Sequence, residues 1–339
     1  MNAIVEKALT FWGLDEARFQ LVAARENKVF RVEAPRGPVA LRLHRPGYRS
    51  GAELRSELQW MSAVAAHGLV VPEPIRSKHG DLIHDVDGVH ADVLTWLNGT
   101  PIGETGVPLA HPDRTGLFEA IGVALARLHD ASDAWILPAD FQRPRWDRAG
   151  LLGATPLWGR FWENPSLSND ERGLLKVFRQ TADAVIAGHE RSLDYGLIHA
   201  DLLRENTLVD QDEIQLIDFD DGGFGFRLFD VATTLNKNRN EPDYEDLRTA
   251  LIRGYRSVRR LDVALLDLFI AIRAMTYVGW IIQRIAEPGA ETRNRRFVKT
   301  ATELAREFLE QRQTTTTTQT TKTGHNQTAL GPSYGSAPR

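Results

Sequence analysis

The 339-residue chain contains no cysteine. That excludes disulfide staples, a cysteine nucleophile and thiolate metal sites, and it fits a reducing compartment. An excess of one charge is also missing. With 41 basic and 45 acidic residues the net charge is −4, so no basic field spans the surface to hold a nucleic acid. Long apolar runs are absent as well. The longest, 268–282, is broken by Arg273. It reads as a buried helix, short of the roughly 20 residues a bilayer span needs, and no membrane partner is expected. The first stretch, MNAIVEKALTFWGLDEARF, carries Glu6 and Lys7 inside its apolar pattern. It reads as a short amphipathic helix and not as a signal peptide, so a cytoplasmic protein is expected. There is no Walker A loop, and GGFGF (222–226) lacks the third glycine of a dinucleotide fingerprint.

What is present is an ordinary globular composition, 42% hydrophobic and 25% charged. Residues 20–44 alternate as strands around an APRGP turn, and 51–67 place Leu54, Leu58, Met61, Val64 and Ala65 on one helical face. Short strands are expected near 81–85 and 91–97. After the Asn98-Gly99 turn signal the pattern changes to helices at 114–130, 171–193 and 243–312, with strands at 197–199 and 206–217. Residues 138–168 are rich in Pro, Gly and Trp and read as an ordered, irregular insertion. The segment from 313 is low in complexity and in apolar residues, and disorder is expected there.

The chemistry concentrates in LIHADLLRENTLVDQDEIQLIDFDD (197–221), where apolar blocks run into carboxylates. His199, Asp201 and Asn206 stand in H-x-D-L-x-x-x-N, and Asp218 and Asp220 follow in I-D-F-D-D. Two strands joined by a short turn place Asn206 beside Asp218. Oxygen ligands of that kind suit Mg²⁺, which completes its shell with waters and substrate phosphates. Asp201 stands where it can orient or deprotonate an attacking hydroxyl. Asp220 is a second candidate for the metal or the acceptor. Arg204 offers either phosphate neutralisation or an exposed charge, and Asp210, Asp212 and Glu213 read as a solvated turn.

These two linked motifs resemble the aminoglycoside phosphotransferase and choline kinase-like family, whose usual strings are H-G-D-L-H-x-x-N and I-D-[FW]. The resemblance covers about 20–310 and extends to the branch with homoserine kinase type II and stress-response kinase A through LRLHRPGY, SELQWM and AIRAMTYVGWIIQR. It implies an α+β, two-lobed, protein-kinase-like fold: a small mixed-sheet N-lobe at 1–94, a hinge at 95–99 and a larger, mainly helical C-lobe at 100–312. It also implies ATP and Mg²⁺ as cofactors. Arg42 in VALRL takes the place of the family's strand lysine, with Lys28 as a competitor. Glu57 is its helical partner, with Glu53 as a competitor. VLTWLNGTP carries the adenine-binding backbone at Val93 and Thr95. His199 and Asp230 brace the catalytic loop. The implied activity is transfer of the γ-phosphate of ATP to a hydroxyl of a small molecule, an amino alcohol such as homoserine or an amino sugar. A Ser/Thr protein kinase with a protein acceptor and a nucleotide-binding pseudokinase stay open. A metal-dependent hydrolase using the same acids is a further reading. The ARENKVFRV stretch (24–32), where the family often has two glycines, has none.

Overall fold

The computed structural model describes residues 2–24 and 27–324, with the side chains of the last helix as far as Thr314. Arg25 and Glu26 of the glycine-free stretch lie outside the described residues. An amphipathic helix α1 (Asn2–Thr10) opens the chain and buries Val5, Ala8 and Leu9. It covers the outer face of a sheet made of β1 (Phe19–Ala24), β2 (Lys28–Ala34), β3 (Gly37–Leu43), β4 (His84–Val86) and β5 (Val89–Thr95). The strand order is β1-β2-β3-β5-β4 and every pairing is antiparallel. Alternation of Phe30, Val32, Val39, Leu41, Leu43 and Val93 toward one face gives this sheet its own small core with α1.

The helix α2 (Gly51–Ala66) sits on the other face. Its start is fixed by a capping box, in which Ser50 and Glu53 satisfy each other's backbone amides. Glu53 is thereby used as a cap, which leaves Glu57, one turn on, to face the sheet. Leu58, Trp60, Met61 and Val64 of α2 join the large core of the second lobe. The Trp60 indole donates to Ser132 Oγ at 2.9 Å across the lobe boundary.

That second lobe contains β6 (Thr100–Pro101), α3 (Arg114–Ala134), β7 (Arg145–Trp146), α4 (Arg148–Leu152), α5 (Asn169–His189), β8 (Tyr195–Ile198), β9 (Thr207–Asp210), β10 (Glu213–Leu216), β11 (Gly223–Phe226), α6 (Arg227–Asn236), α7 (Tyr244–Val258), α8 (Leu266–Trp280) and α9 (Ala290–Gly324). Two small three-stranded sheets, β10-β9-β6 and β7-β11-β8, belong to this lobe. The insertion at 138–168 is ordered through β7, α4 and a 3₁₀ turn at Phe161–Glu163, and it buries Trp146, Phe161 and Trp162. Asn164, fully buried, bonds the Val278 carbonyl and Asn294 and so ties the insertion to α8 and α9.

Two sequence expectations need revision here. Leu266–Arg284 does reach the length and mean hydropathy of a membrane-crossing helix, but 78% of it is buried inside the fold. The Thr-rich segment does not leave the helix at 312, because α9 continues to Gly324. Extending a helix already docked on α5 and α8 is far less costly than nucleating one. The remainder of that segment, 325–339, lies outside the described residues.

The tightest helix contact joins α3 and α7. A Cβ at Gly122 would overlap the Leu251 carbonyl, and one at Gly254 would overlap the Glu119 carbonyl. Backbone cannot move aside as a side-chain tip can. Gly254→Ala is expected to lower the unfolding free energy by about 1–3 kcal/mol, measured by chemical denaturation, with the fold otherwise retained.

Candidate active site

The β9–β10 hairpin sets the first part of the site. Its register pairs Thr207 with Leu216, and the Ile217 amide donates to the Asn206 carbonyl at 3.0 Å. Asn206 and Asp218 therefore stand at adjoining strand ends. Both Ala200 (φ +64°) and Asp218 (φ +67°) adopt the left-handed region, which costs a residue with a Cβ about 1–2 kcal/mol. At Ala200 the loop is held by Asp230, whose carboxylate accepts from the His199 amide at 2.7 Å and the Ala200 amide at 2.6 Å. Asp230 also meets His129 Nε2 at 3.0 Å. The His199 ring is packed against Phe219 and reaches the Ile217 carbonyl at 3.0 Å, so it ties the catalytic loop to the strand carrying Asp218.

Asp218 makes no hydrogen bond or ion pair among the described residues. Its carboxyl is held well above the usual range by poor solvation in the cleft, then by Asp220, Asp201 and Asp221. Asp220 is buried, and its Oδ1 has no hydrogen-bond partner. Burial, then Glu57 and Asp221, push its pKa up to about 6. Among the described residues no three acidic or histidine side chains form a metal cage by themselves. Two carboxylates with no ion-pair partner among the described residues, next to an asparagine, do fit a divalent ion that takes the rest of its shell from phosphates and water.

Asp201 is partly buried. Its Oδ1 accepts from Arg273 Nη2 at 2.6 Å and its Oδ2 from Asn206 Nδ2 at 3.2 Å. Burial raises its pKa, with Arg273 and Lys237 opposing. A carboxylate so placed holds its orientation and accepts a proton more readily than a solvated one.

On the sheet side, Arg42 spans two acids. Nε and Nη2 donate to Asp92 at 2.8 and 2.9 Å, and Nη1 donates to Glu57 at 2.8 Å. Glu57 is fully buried and accepts on its other oxygen from Arg143 Nη1 at 3.1 Å. Arg143 in turn donates to the carbonyls of Phe219, Asp220 and Gly222. Lys28 is exposed at the start of β2, away from this network.

Two expectations change. Arg204 is neither exposed nor turned to phosphate. It is buried, with Nε on Asn238 at 2.8 Å, Nη1 on the Val107 carbonyl and Nη2 on Glu241, because these acceptors lie behind the catalytic loop. The Val93 carbonyl and the Thr95 amide are taken by Ile75 and Glu73, so neither is free for adenine. Trp96, Leu97 and Asn98 make no described backbone hydrogen bond, and that segment is where a base could pair. Asp147 caps α4 and Glu163 pairs with Arg160.

The family profile described as "Phosphotransferase enzyme family" matches residues 19–264. A homoserine kinase of Agrobacterium fabrum is 30% identical over 246 residues, 71% of each chain. The chain belongs to the phosphotransferase enzyme family. A solved microcompartment-associated aminopropanol kinase superposes with a TM-score of 0.80 at 29% identity, covering 92% of this chain and 98% of that one. An amicoumacin kinase solved with AMP-PNP, Ca²⁺ and Ami has a TM-score of 0.71 at 20% identity, covering 89% and 93%, and shares the fold. The two-lobed, kinase-like architecture expected from the sequence therefore stands, and this phosphotransferase is an enzyme of the kinase type.

Sequence reasoning missed Asp92, Arg143 and Lys237 of the phosphotransferase, and gave Arg273 no role. An acid in the middle of the apolar strand β5 and an arginine in the middle of an apolar helix were both visible signals. Arg143 had none, because it lies in irregular chain. The Arg42 fork also bears on the family's usual lysine. Arg42→Lys keeps the charge but cannot bond Asp92 on two atoms and Glu57 at once. It is expected to lower stability by about 1–3 kcal/mol and to raise the KM for ATP, seen by denaturation and steady-state kinetics.

Proposed function

We propose that this phosphotransferase moves the γ-phosphate of ATP, as its Mg²⁺ complex, to a hydroxyl of a small amino alcohol such as homoserine, or of an amino sugar, in the cytoplasm. The observation that carries the reading is the pair of carboxylates, Asp218 and Asp220, that have no ion-pair partner among the described residues, beside Asn206 and within reach of Asp201's field. Asn206 and Asp218, with Asp220, would hold the metal, which supplies charge neutralisation on the phosphates. Asp201, fixed by Arg273 and Asn206, orients the acceptor hydroxyl and accepts its proton. Arg42 uses three of its five N–H groups on Asp92 and Glu57, and the remaining two are available to the α- and β-phosphates. Adenine rests on the backbone of 96–98, in the hinge between lobes that divide near 95–99. Phosphoryl transfer needs alignment and charge neutralisation more than covalent help, and these groups suffice for it.

A small acceptor is favoured over a protein by the cavity of about 200 Å³ walled by Tyr48, Trp146, Trp158 and Trp280 with Arg49 and Arg284. The insertion closes this side with tryptophans, where a protein substrate would need an open groove. Kinase relatives with amino-alcohol and antibiotic substrates support the same class.

The test is Mg-ATP turnover over amino alcohols, amino sugars and autophosphorylation. Asp201→Asn is expected to lower kcat by about 10²–10⁴-fold with little change in ATP binding. Phosphate on the protein alone would point to a protein kinase, and ATP binding without turnover to a scaffold. A second expectation concerns the metal. A cation and a proton compete for Asp220, whose protonated form prevails below about 6. The Mg²⁺ affinity should therefore weaken as pH falls through that value, by about tenfold per unit for one displaced proton. Titration calorimetry from pH 5 to 8 checks it, and a flat profile removes Asp220 from the site.

A further inference from the structure

The wall behind Asp201 is short of negative charge. Arg273, at the centre of α8, has no exposure, yet only Nη2 is partnered, by Asp201 at 2.6 Å and the Tyr277 hydroxyl at 2.9 Å. Its Nε and Nη1 are buried with no hydrogen-bond partner. The guanidinium lies over Trp158 at 4.6 Å and Tyr277 at 4.5 Å, so aromatic faces hold it in plane and keep water away. Lys237, just after α6, brings a second cation to the same ring, with Nζ 3.6 Å from the Tyr277 centroid and 5.1 Å from that of Phe297. It has no carboxylate partner among the described residues. Glu205, the other acid whose charge reaches Lys237, is occupied by the amide and hydroxyl of Thr105. Burial, then Arg273, push the Lys237 ammonium down to about 7, as expected of a cation lacking its counter-ion.

One carboxylate, Asp201, thus faces two cations and must also meet the acceptor hydroxyl. A buried cation with unused N–H groups is costly unless an occupant brings an oxyanion. We infer that the acceptor carries a carboxylate as well as its hydroxyl, read by Arg273 and Lys237 beside Asp201. This rests on the phosphotransferase reading and narrows it, because a small hydroxy acid or hydroxy amino acid fits while an amine alone would add a third positive charge. Trp158, which covers Arg273, also walls the 200 Å³ cavity, so the guanidinium and that cavity lie on either side of one ring. The γ-phosphate is the other oxyanion that could reach this wall, and the experiment separates the two.

The acceptors to compare are L-homoserine, 4-hydroxybutanoate and 3-aminopropan-1-ol. The last is homoserine without its carboxylate, and the second is homoserine without its amine. Initial rates with Mg-ATP give kcat/KM, and calorimetry on the Mg-AMP-PNP complex gives binding without turnover. The expected result is a preference of about 100-fold or more for the carboxylate compounds over 3-aminopropan-1-ol. Lys237→Met should shrink that preference at least tenfold, mainly through the acceptor KM, with the KM for ATP unchanged. Arg273→Lys should shrink it further and lower kcat through Asp201. Equal or better binding of 3-aminopropan-1-ol overturns the inference, and its turnover would still leave the phosphotransferase reading intact. A raised KM for ATP in both variants with unchanged acceptor preference assigns the wall to the γ-phosphate and also overturns it. Failure of the wild-type protein to bind ATP sinks the underlying reading instead.

Discussion

A single buried carboxylate, Glu57, is shared by two arginines, and the geometry of the cleft depends on it. One oxygen receives Arg42 from β3 and the other receives Arg143 from the irregular chain after α3. With Asp92 added, two arginines meet two carboxylates, and His44 Nε2 closes on Asp92 at 2.6 Å. Arg143 carries the linkage onward to the carbonyls around Phe219 and Gly222. The first lobe's strand, its helix and the loop bearing Asp220 are therefore fixed to one another through side chains. Removing one partner from such a buried set costs about 3–5 kcal/mol, because the charge left behind has no solvent.

The cleft divides its charges across a few residues. Negative charge is in excess at the strand ends, where Asp218 and Asp220 lie. Positive charge is in excess behind Asp201, where Arg273 and Lys237 meet Tyr277. Asp201 sits at the boundary between the two regions and is bonded to both, through Asn206 on one side and Arg273 on the other. A group at that boundary feels attraction and repulsion of similar size, which is how a carboxylate can remain both oriented and able to take a proton.

How much of this was legible in the sequence followed the range of the interactions. Asn206 and Asp218 could be set side by side because a two-stranded hairpin with a short turn leaves little choice of register. The spacing of the apolar face of α2 was local as well. Partners fixed by tertiary packing were not legible. Arg204 lies two residues from Asn206, yet its direction is decided by Asn238 and Glu241, more than 30 positions away. The Val93 carbonyl and the Thr95 amide are taken by a strap at 73–75 that no periodicity announces. Arg273 broke an apolar run, which was a visible sign of a buried charge, but its partner Asp201 is 72 positions distant.

The tether on α2 has a consequence for control. Swinging this helix outward, the movement by which many two-lobed kinases are silenced, would strand Glu57 and pull Trp60 from Ser132 and Phe219. At about 3–5 kcal/mol the swung-out form would hold fewer than about one molecule in a hundred. A helix held at both its acid and its tryptophan is unsuited to serve as the on–off element of the cleft.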